Sequence, residues 1–172
     1  MRVVGEDRAW LLERSAEEGW ADVVKLLGPQ GADFKSPTGS EVLLTAVEKG
    51  RVETAKALLD AGVNPKAPPY DRLLHSAIKL SDPSIRFQMV QLLVLRGAKV
   101  NVYPPDSQYG SLEPLSEAVS QRSPPDLKVV EFLIAHGARV TENMIQTAEY
   151  LKHPEAAQLL RKALPSRNGP KR

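Results

Sequence analysis

The side chains in this sequence best suited to chemistry are three histidines and one pair of adjacent carboxylates. His75, His136 and His153 are far apart, and no two of them share the spacing that places side chains on one face of a helix. Glu17 and Glu18 are neighbours, and neighbouring residues on a helix point apart, which disfavours joint acid–base work. We therefore predict that the protein is not an enzyme.

Metal and cofactor motifs are absent from the sequence as well. It contains no cysteine, which removes disulfides and thiolate metal sites and fits a reducing compartment. It shows no zinc signature, no glycine-rich phosphate loop and no nucleophile elbow. We expect no metal and no cofactor in the function.

Charge and hydropathy place the chain among ordinary globular domains. The formal net charge is +2, and three of the basic residues, Arg167, Lys171 and Arg172, fall in the last six positions. Residues 165–172 have nothing apolar to bury, so we predict a disordered basic tail over 164–172. No stretch approaches the roughly 18 apolar residues of a membrane span, and no signal peptide opens the chain. We expect a cytoplasmic or nuclear location and no membrane association.

The elements that position these residues follow an internal repeat. Four times an apolar stripe runs into a glycine, at Gly31, Gly62, Gly97 and Gly137. In the fourth stripe, residues 129, 130, 132 and 133 are apolar, which is one face of a helix. Each glycine is predicted to end its helix in the left-handed conformation, which costs glycine little. A pattern that recurs every 31 to 40 residues indicates one unit that buries its apolar face by stacking on copies of itself.

Each stripe is preceded by a shorter segment with small residues near its end, which predicts two closely packed helices in every unit. Two connections between such helices look long, Lys79 to Gln88 and Ser120 to Lys128. Both contain a helix-start signal, with Asp82 and Asp126 as the expected capping residues. We predict longer loops at these places.

With this organisation, the sequence resembles the ankyrin repeat family. The matching segments include VVKLLGPQGADF (23–34), residues 39–64, LLHSA (73–77), MVQLLVLRGAKVN (89–101) and residues 113–141. The resemblance implies an all-α, ankyrin-type solenoid of about five helix-turn-helix repeats with projecting finger turns. It would span 7–163, with repeats at about 7–34, 35–64, 65–101, 102–140 and 141–163.

The resemblance also implies where a partner would bind, because finger turns and first helices line the inner groove in this family. Tyr70, Tyr103 and Tyr109 fall in the expected fingers, and Tyr150 falls near the end of a first helix. Exposed tyrosines often dominate binding energy, although these rings could instead pack against neighbouring fingers. The residues predicted to contact a partner are Tyr70, Arg72, Tyr103, Asp106, Tyr109, Arg122 and Tyr150.

The charges expected along the concave face mix signs, so no basic stripe for a nucleic acid emerges. This face would include Glu41, Glu48, Arg72, Glu113 and Arg122.

Away from this face, Asn64 and Asn101 are predicted to hold turns through hydrogen bonds to the backbone. Trp10 and Trp20 are predicted to cover the core at the first repeat, and binding by Trp20 is an alternative.

We therefore predict a non-catalytic module that binds another protein as an adaptor, assembly chaperone or inhibitor, and that is a monomer alone. A regulatory ankyrin fragment of a larger enzyme or channel is the alternative. The identity of the partner cannot be deduced from these residues.

Overall fold

The computed structural model describes residues 5–28, 34, 37–66, 70–101, 113–121 and 124–164. All regular elements in these ranges are α-helices, which confirms the predicted all-α fold. In chain order they are α1 (Gly5–Glu18), α2 (Ala21–Leu27), α3 (Pro37–Glu48), α4 (Val52–Asp60), α5 (Tyr70–Ile78), α6 (Pro83–Leu95), α7 (Pro114–Ser120), α8 (Leu127–Ala135), α9 (Glu142–Tyr150) and α10 (Pro154–Ala163). None of the described helices is long and apolar enough to cross a membrane.

Residues Met1–Lys99 form one compact unit, which contains α1 to α6. The first helices α1, α3 and α5 pack against one another in order, and the second helices α2, α4 and α6 do the same. Each first helix also packs against its own second helix. The resulting two layers enclose an apolar core that includes Val24, Leu43, Leu58, Leu74 and Leu93, all fully buried. Stacking of helix pairs therefore supplies the apolar burial that one pair alone lacks.

Residues Val100–Arg172 form a second compact unit with the same local plan. Here α7 packs on α8 and α9, and α10 packs on both α8 and α9. Leu115, Val119, Leu133, Ile145 and Leu160 are buried between them. The predicted limits of the five repeats, which treat 7–163 as one domain, stay a prediction, and residues 165–172 of the predicted tail lie outside the described ranges.

The glycines that end the second helices adopt the predicted left-handed conformation. The φ angles of Gly62, Gly97 and Gly137 are 102°, 91° and 86°. In each case the next amide reaches back to the last turn, as in the 2.9 Å bond from Ala98 N to Leu93 O. These three helix stops are confirmed, and Gly31 lies outside the described residues.

The turns between the two helices of a repeat use the same device. Gly19 and Gly50 have positive φ, and the following amides, Trp20 N and Arg51 N, donate to Ser15 O and Ala46 O. In α9–α10 the left-handed residue is Lys152, with φ of 61°, followed by the bond from His153 N to Ala148 O. These matching bonds identify equivalent residues in different repeats.

The predicted long loop at Lys79 to Gln88 is wrong. Instead α6 begins at Pro83, because Asp82 accepts hydrogen bonds from Ser84 N at 2.8 Å and Ile85 N at 2.9 Å. A capping aspartate followed by proline at the first helical position starts α6 at Pro83. Residues 83–88 of the expected loop therefore belong to the helix. The capping prediction itself is confirmed, also at Asp126, which accepts from Lys128 N at 3.2 Å.

Candidate functional site

The exposed sides of the first helices in the first unit carry a small charged cluster. Arg72 on α5 donates to Glu48 Oε1 on α3 at 3.3 Å, and Ser76 Oγ lies 3.4 Å from the same oxygen. The Arg72 and Glu48 side chains are 59% and 44% exposed. Glu41, about two turns before Glu48 on the same helix, is exposed too. An ion pair this exposed contributes about 0–1 kcal/mol, so its groups are free to exchange toward a partner at little cost to the fold.

On α1 the carboxylate pair is engaged by a single arginine. Arg14 Nη1 lies 3.0 Å from Glu17 Oε2, and Arg14 Nη2 lies 2.9 Å from Glu18 Oε1. Both carboxylates are more than 40% exposed. They continue the charged surface of the first helices.

In the second unit the exposed side of the first helix carries an aromatic ring. Tyr150 is the last residue of α9, as the sequence predicts, and it is 85% exposed. By the register of the turn hydrogen bonds, it stands where Glu48 stands on α3. The preceding residue, Glu149, pairs with Arg161 on α10. The tyrosine is thus presented to solvent from a helix that is anchored to its neighbour.

Of the residues predicted to contact a partner, the structure places two side chains. Arg72 lies in the charged cluster of the first unit and Tyr150 lies on α9 of the second. The placement of Tyr70 in a finger turn is wrong, because it is the first residue of α5; its side chain is outside the description. Tyr103, Asp106, Tyr109 and Arg122 lie outside the described residues. Partner contact at all seven positions stays a prediction.

Comparison with known proteins identifies the repeat. A family model described as ankyrin repeats (3 copies) matches residues 12–104, which is more than half of the chain. The chain belongs to the ankyrin repeat family. It is also similar to the human protein "Ankyrin repeat and KH domain-containing protein 1", with 31% identity over 87 residues. That match covers 49% of this chain and 3% of the human protein, so the chain spans a small part of its relative.

Ankyrin repeats are generally protein-interaction modules and are generally non-catalytic. Two of the histidines in this ankyrin chain have structural contacts. His136 Nδ1 lies 2.8 Å from Phe132 O, and its ring stacks at a tilt on the Phe132 ring with centroids 4.0 Å apart. His153 Nε2 lies 3.2 Å from Gln121 O and so joins α10 to the end of α7. Among the residues with described positions, no group of three His, Cys, Asp or Glu could hold a metal ion.

The two asparagines after the ankyrin stop glycines hold turns, as predicted. Asn64 Oδ1 accepts from Lys66 N at 2.9 Å. Asn101 does more, because its Oδ1 accepts from Arg139 N and its Nδ2 donates to Gly137 O, both at 2.8 Å. This side chain ties the end of one predicted repeat to the turn that ends the next.

The expectation that Glu113 lines an exposed concave face is wrong. Glu113 is 3% exposed, and its Oε2 has no hydrogen-bond partner in the part of the chain that the structure describes. The residue occupies the N-cap of α7, where Pro114 and Leu115 are buried too. Pro114 at the first position of α7 was the available signal that Glu113 stands at a helix start.

A shallow cleft of about 230 Å³ in the second unit was not anticipated from the sequence. Three prolines, Pro124, Pro125 and Pro154, line it together with Leu127, Lys152 and His153. His153 already contacts Gln121 O. Glu155 and Ala156 complete the lining, so the cleft combines proline carbon surface with three polar side chains, Lys152, His153 and Glu155.

Proposed function

We propose that this ankyrin repeat protein binds another protein through the exposed sides of its first helices and the finger turns that precede them. The observation that carries the proposal is Tyr150, 85% exposed at the end of α9. Tyrosine offers a large rigid surface with a polar tip, and it is enriched among residues that dominate binding energy. Its ring makes no contribution to the buried core, which leaves a partner as the role that fits.

The charged cluster of the first unit supports the same use. Glu48 accepts from both Arg72 and Ser76, and these exposed contacts are weak enough to be exchanged for contacts with a partner. Mixed signs within the cluster favour a protein surface with its own complementary charges over a phosphate backbone.

The cellular role that fits a binding module without catalytic groups is that of an adaptor, assembly chaperone or inhibitor. A second candidate is a regulatory ankyrin fragment of a larger enzyme or channel. The human relative supports this candidate, because the match lies within a far longer protein and covers 3% of it. Under either role, recognition would use the same surface.

We extend the proposal to Tyr103 and Tyr109, which fall in the expected finger between α6 and α7 and lie outside the described residues. We expect Tyr103→Ala with Tyr109→Ala to weaken partner binding by at least about 2 kcal/mol, as truncation of dominant interface residues does. Titration of the purified partner measures this loss, and the melting temperature of the double variant serves as its control. Normal affinity with a melting temperature lower by several degrees would make both rings packing residues.

The proposal is tested by affinity capture from the native source with wild type, Tyr150→Ala and Leu95→Ala as baits, and identification of the captured proteins by mass spectrometry. Leu95 is the matched control, because it is 63% exposed but lies on the second helix α6. We expect one partner to be captured by wild type and Leu95→Ala and to be depleted with Tyr150→Ala. Equal capture by all three baits would remove Tyr150 from the binding surface.

A further inference from the structure

The first two repeats are in register with an offset of 31 residues. Trp20 N donates to Ser15 O at 3.0 Å, and Arg51 N donates to Ala46 O at 2.8 Å, each directly after a left-handed glycine. Every residue of α2 therefore has a counterpart in α4. This correspondence allows the burial of equivalent side chains to be compared position by position.

One side of α4 is buried where the same side of α2 is open. Thr54 and Ala57 on α4 are 1% and 4% exposed, and α4 packs against α2. Their counterparts are Val23, which is partly exposed, and Leu26, which is 66% exposed. Val23 and Leu26 are thus larger and more apolar than Thr54 and Ala57. They nevertheless lie on a side of α2 that contacts no other described repeat.

The turn before α2 shows the same difference. Arg51 reaches back to the preceding repeat, where its Nε donates to Glu17 O at 3.0 Å. Its counterpart, Trp20, is 43% exposed. Trp20, Val23 and Leu26 together form what we call the N-terminal stacking face. It is the surface on which one more ankyrin-type helix pair would stack, and it continues the interface that already joins the first and second repeats.

The charges beside this face suit an identical surface. Asp22 and Lys25 on α2 lie 2.8 Å apart, so the helix carries one charge of each sign. The hydrogen bond from Lys25 lowers the pKa of Asp22, and the same bond raises the pKa of Lys25. Both groups are charged at neutral pH, and two copies of the helix can meet without net repulsion.

The last described helix, α10, is unsuited to receive this face from another copy. In the register set by the His153 N to Ala148 O bond, Arg161 stands where α4 buries Leu59. Arg161 is exposed and paired with Glu149. Covering this helix with leucine and tryptophan would strip water from charged groups, which is costly. Head-to-tail stacking of copies is therefore disfavoured.

We propose that two copies of this chain associate through their N-terminal stacking faces, each α1–α2 pair covering the other about a twofold axis. Such a contact is self-complementary and closes at two copies. The apolar face is small compared with the roughly 1,200 Å² or more that stable complexes bury, so the dimer is weak and depends on concentration. The sequence predicts a monomer, whereas this exposed face favours a weak dimer.

Sedimentation equilibrium of the full chain from about 10 µM to about 1 mM, a range suited to weak association, tests the proposal. The wild-type mass is expected to rise with concentration from 18.9 kDa toward twice that value. Leu26→Glu is expected to weaken association at least tenfold. Leu95→Glu is the matched control, 63% exposed on α6, and is expected to dimerise as wild type does.

Leu26→Ala serves as a second variant, because alanine favours the helix and stands at the equivalent position of α4. Helix content from circular dichroism shows that each variant is folded. A wild-type mass that stays at one copy throughout the range would overturn the proposal. So would a dimer that persists in folded Leu26→Ala, loss of the dimer in Leu95→Glu alone, or masses that grow beyond two copies.

Discussion

Lys152 adopts the left-handed backbone conformation that glycine adopts at the equivalent turns of other repeats. Across the described residues it is the only non-glycine residue with positive φ, at 61°. It occupies the position that Gly19 and Gly50 hold in the first two repeats, as the matching turn hydrogen bonds establish. A side chain in this conformation costs roughly 1–2 kcal/mol, whereas glycine adopts it freely.

Lys152→Gly is therefore expected to stabilise the protein. Relief of strain is offset in part by the greater freedom of glycine in the unfolded chain, which leaves a gain of about 0.5–1 kcal/mol. Gln146→Gly, in the middle of α9 and exposed, is the control and should lose about 1 kcal/mol. Urea denaturation measures both values. Equal losses in the two variants would mean that position 152 is not left-handed.

The sequence predicts the glycine stops, but it predicts neither the left-handed conformation of Lys152 nor the burial of Glu113. Gly62, Gly97 and Gly137 are readable because glycine is the residue that such a turn favours. Lysine carries no comparable signal, so the strain at Lys152 appears only in the fold. Glu113 is similar, because a glutamate in a sequence indicates exposure, and its burial at the start of α7 depends on what packs around it.

Asp82 determines where α6 starts and so sets the length of an element. It accepts from two backbone amides, Ser84 N and Ile85 N, that would otherwise lack intrahelical partners. The sequence shows this signal, yet it does not show that the helix propagates from it, because the same residues also suit a loop. The length of α6 is decided by packing of Met89, Val90 and Leu93 in the core.

Asp82→Ala is expected to lower the free energy of unfolding by about 1 kcal/mol, within the range of roughly 0.5–2 kcal/mol for lost caps. Ser81→Ala is the control, since the described contact of Ser81 uses its backbone carbonyl, which accepts from Arg86 Nη2. Thermal or urea unfolding distinguishes the two. If both variants were as stable as wild type, the capping bonds would not fix the start of α6.

On the scale of the whole molecule, two compact units each stack helix pairs in two layers. The sequence predicts the stacking of helix pairs, because apolar stripes, small residues and stop glycines all recur in register, but it predicts one domain and not two units. It predicts the proposed binding surface less completely, because exposure follows from packing and not from residue type. Arg72 and Tyr150 lie on first helices, and Tyr70 begins α5, while Tyr103 and Tyr109 lie outside the described ranges.

The central claim, that a partner protein binds along the first helices, is tested most directly by titration calorimetry of the captured partner with wild type and Tyr150→Ala. We expect the variant to bind at least about 2 kcal/mol more weakly, roughly a 30-fold rise in Kd. Its melting temperature should not change, because the ring is 85% exposed. An unchanged Kd for a folded Tyr150→Ala would contradict the account.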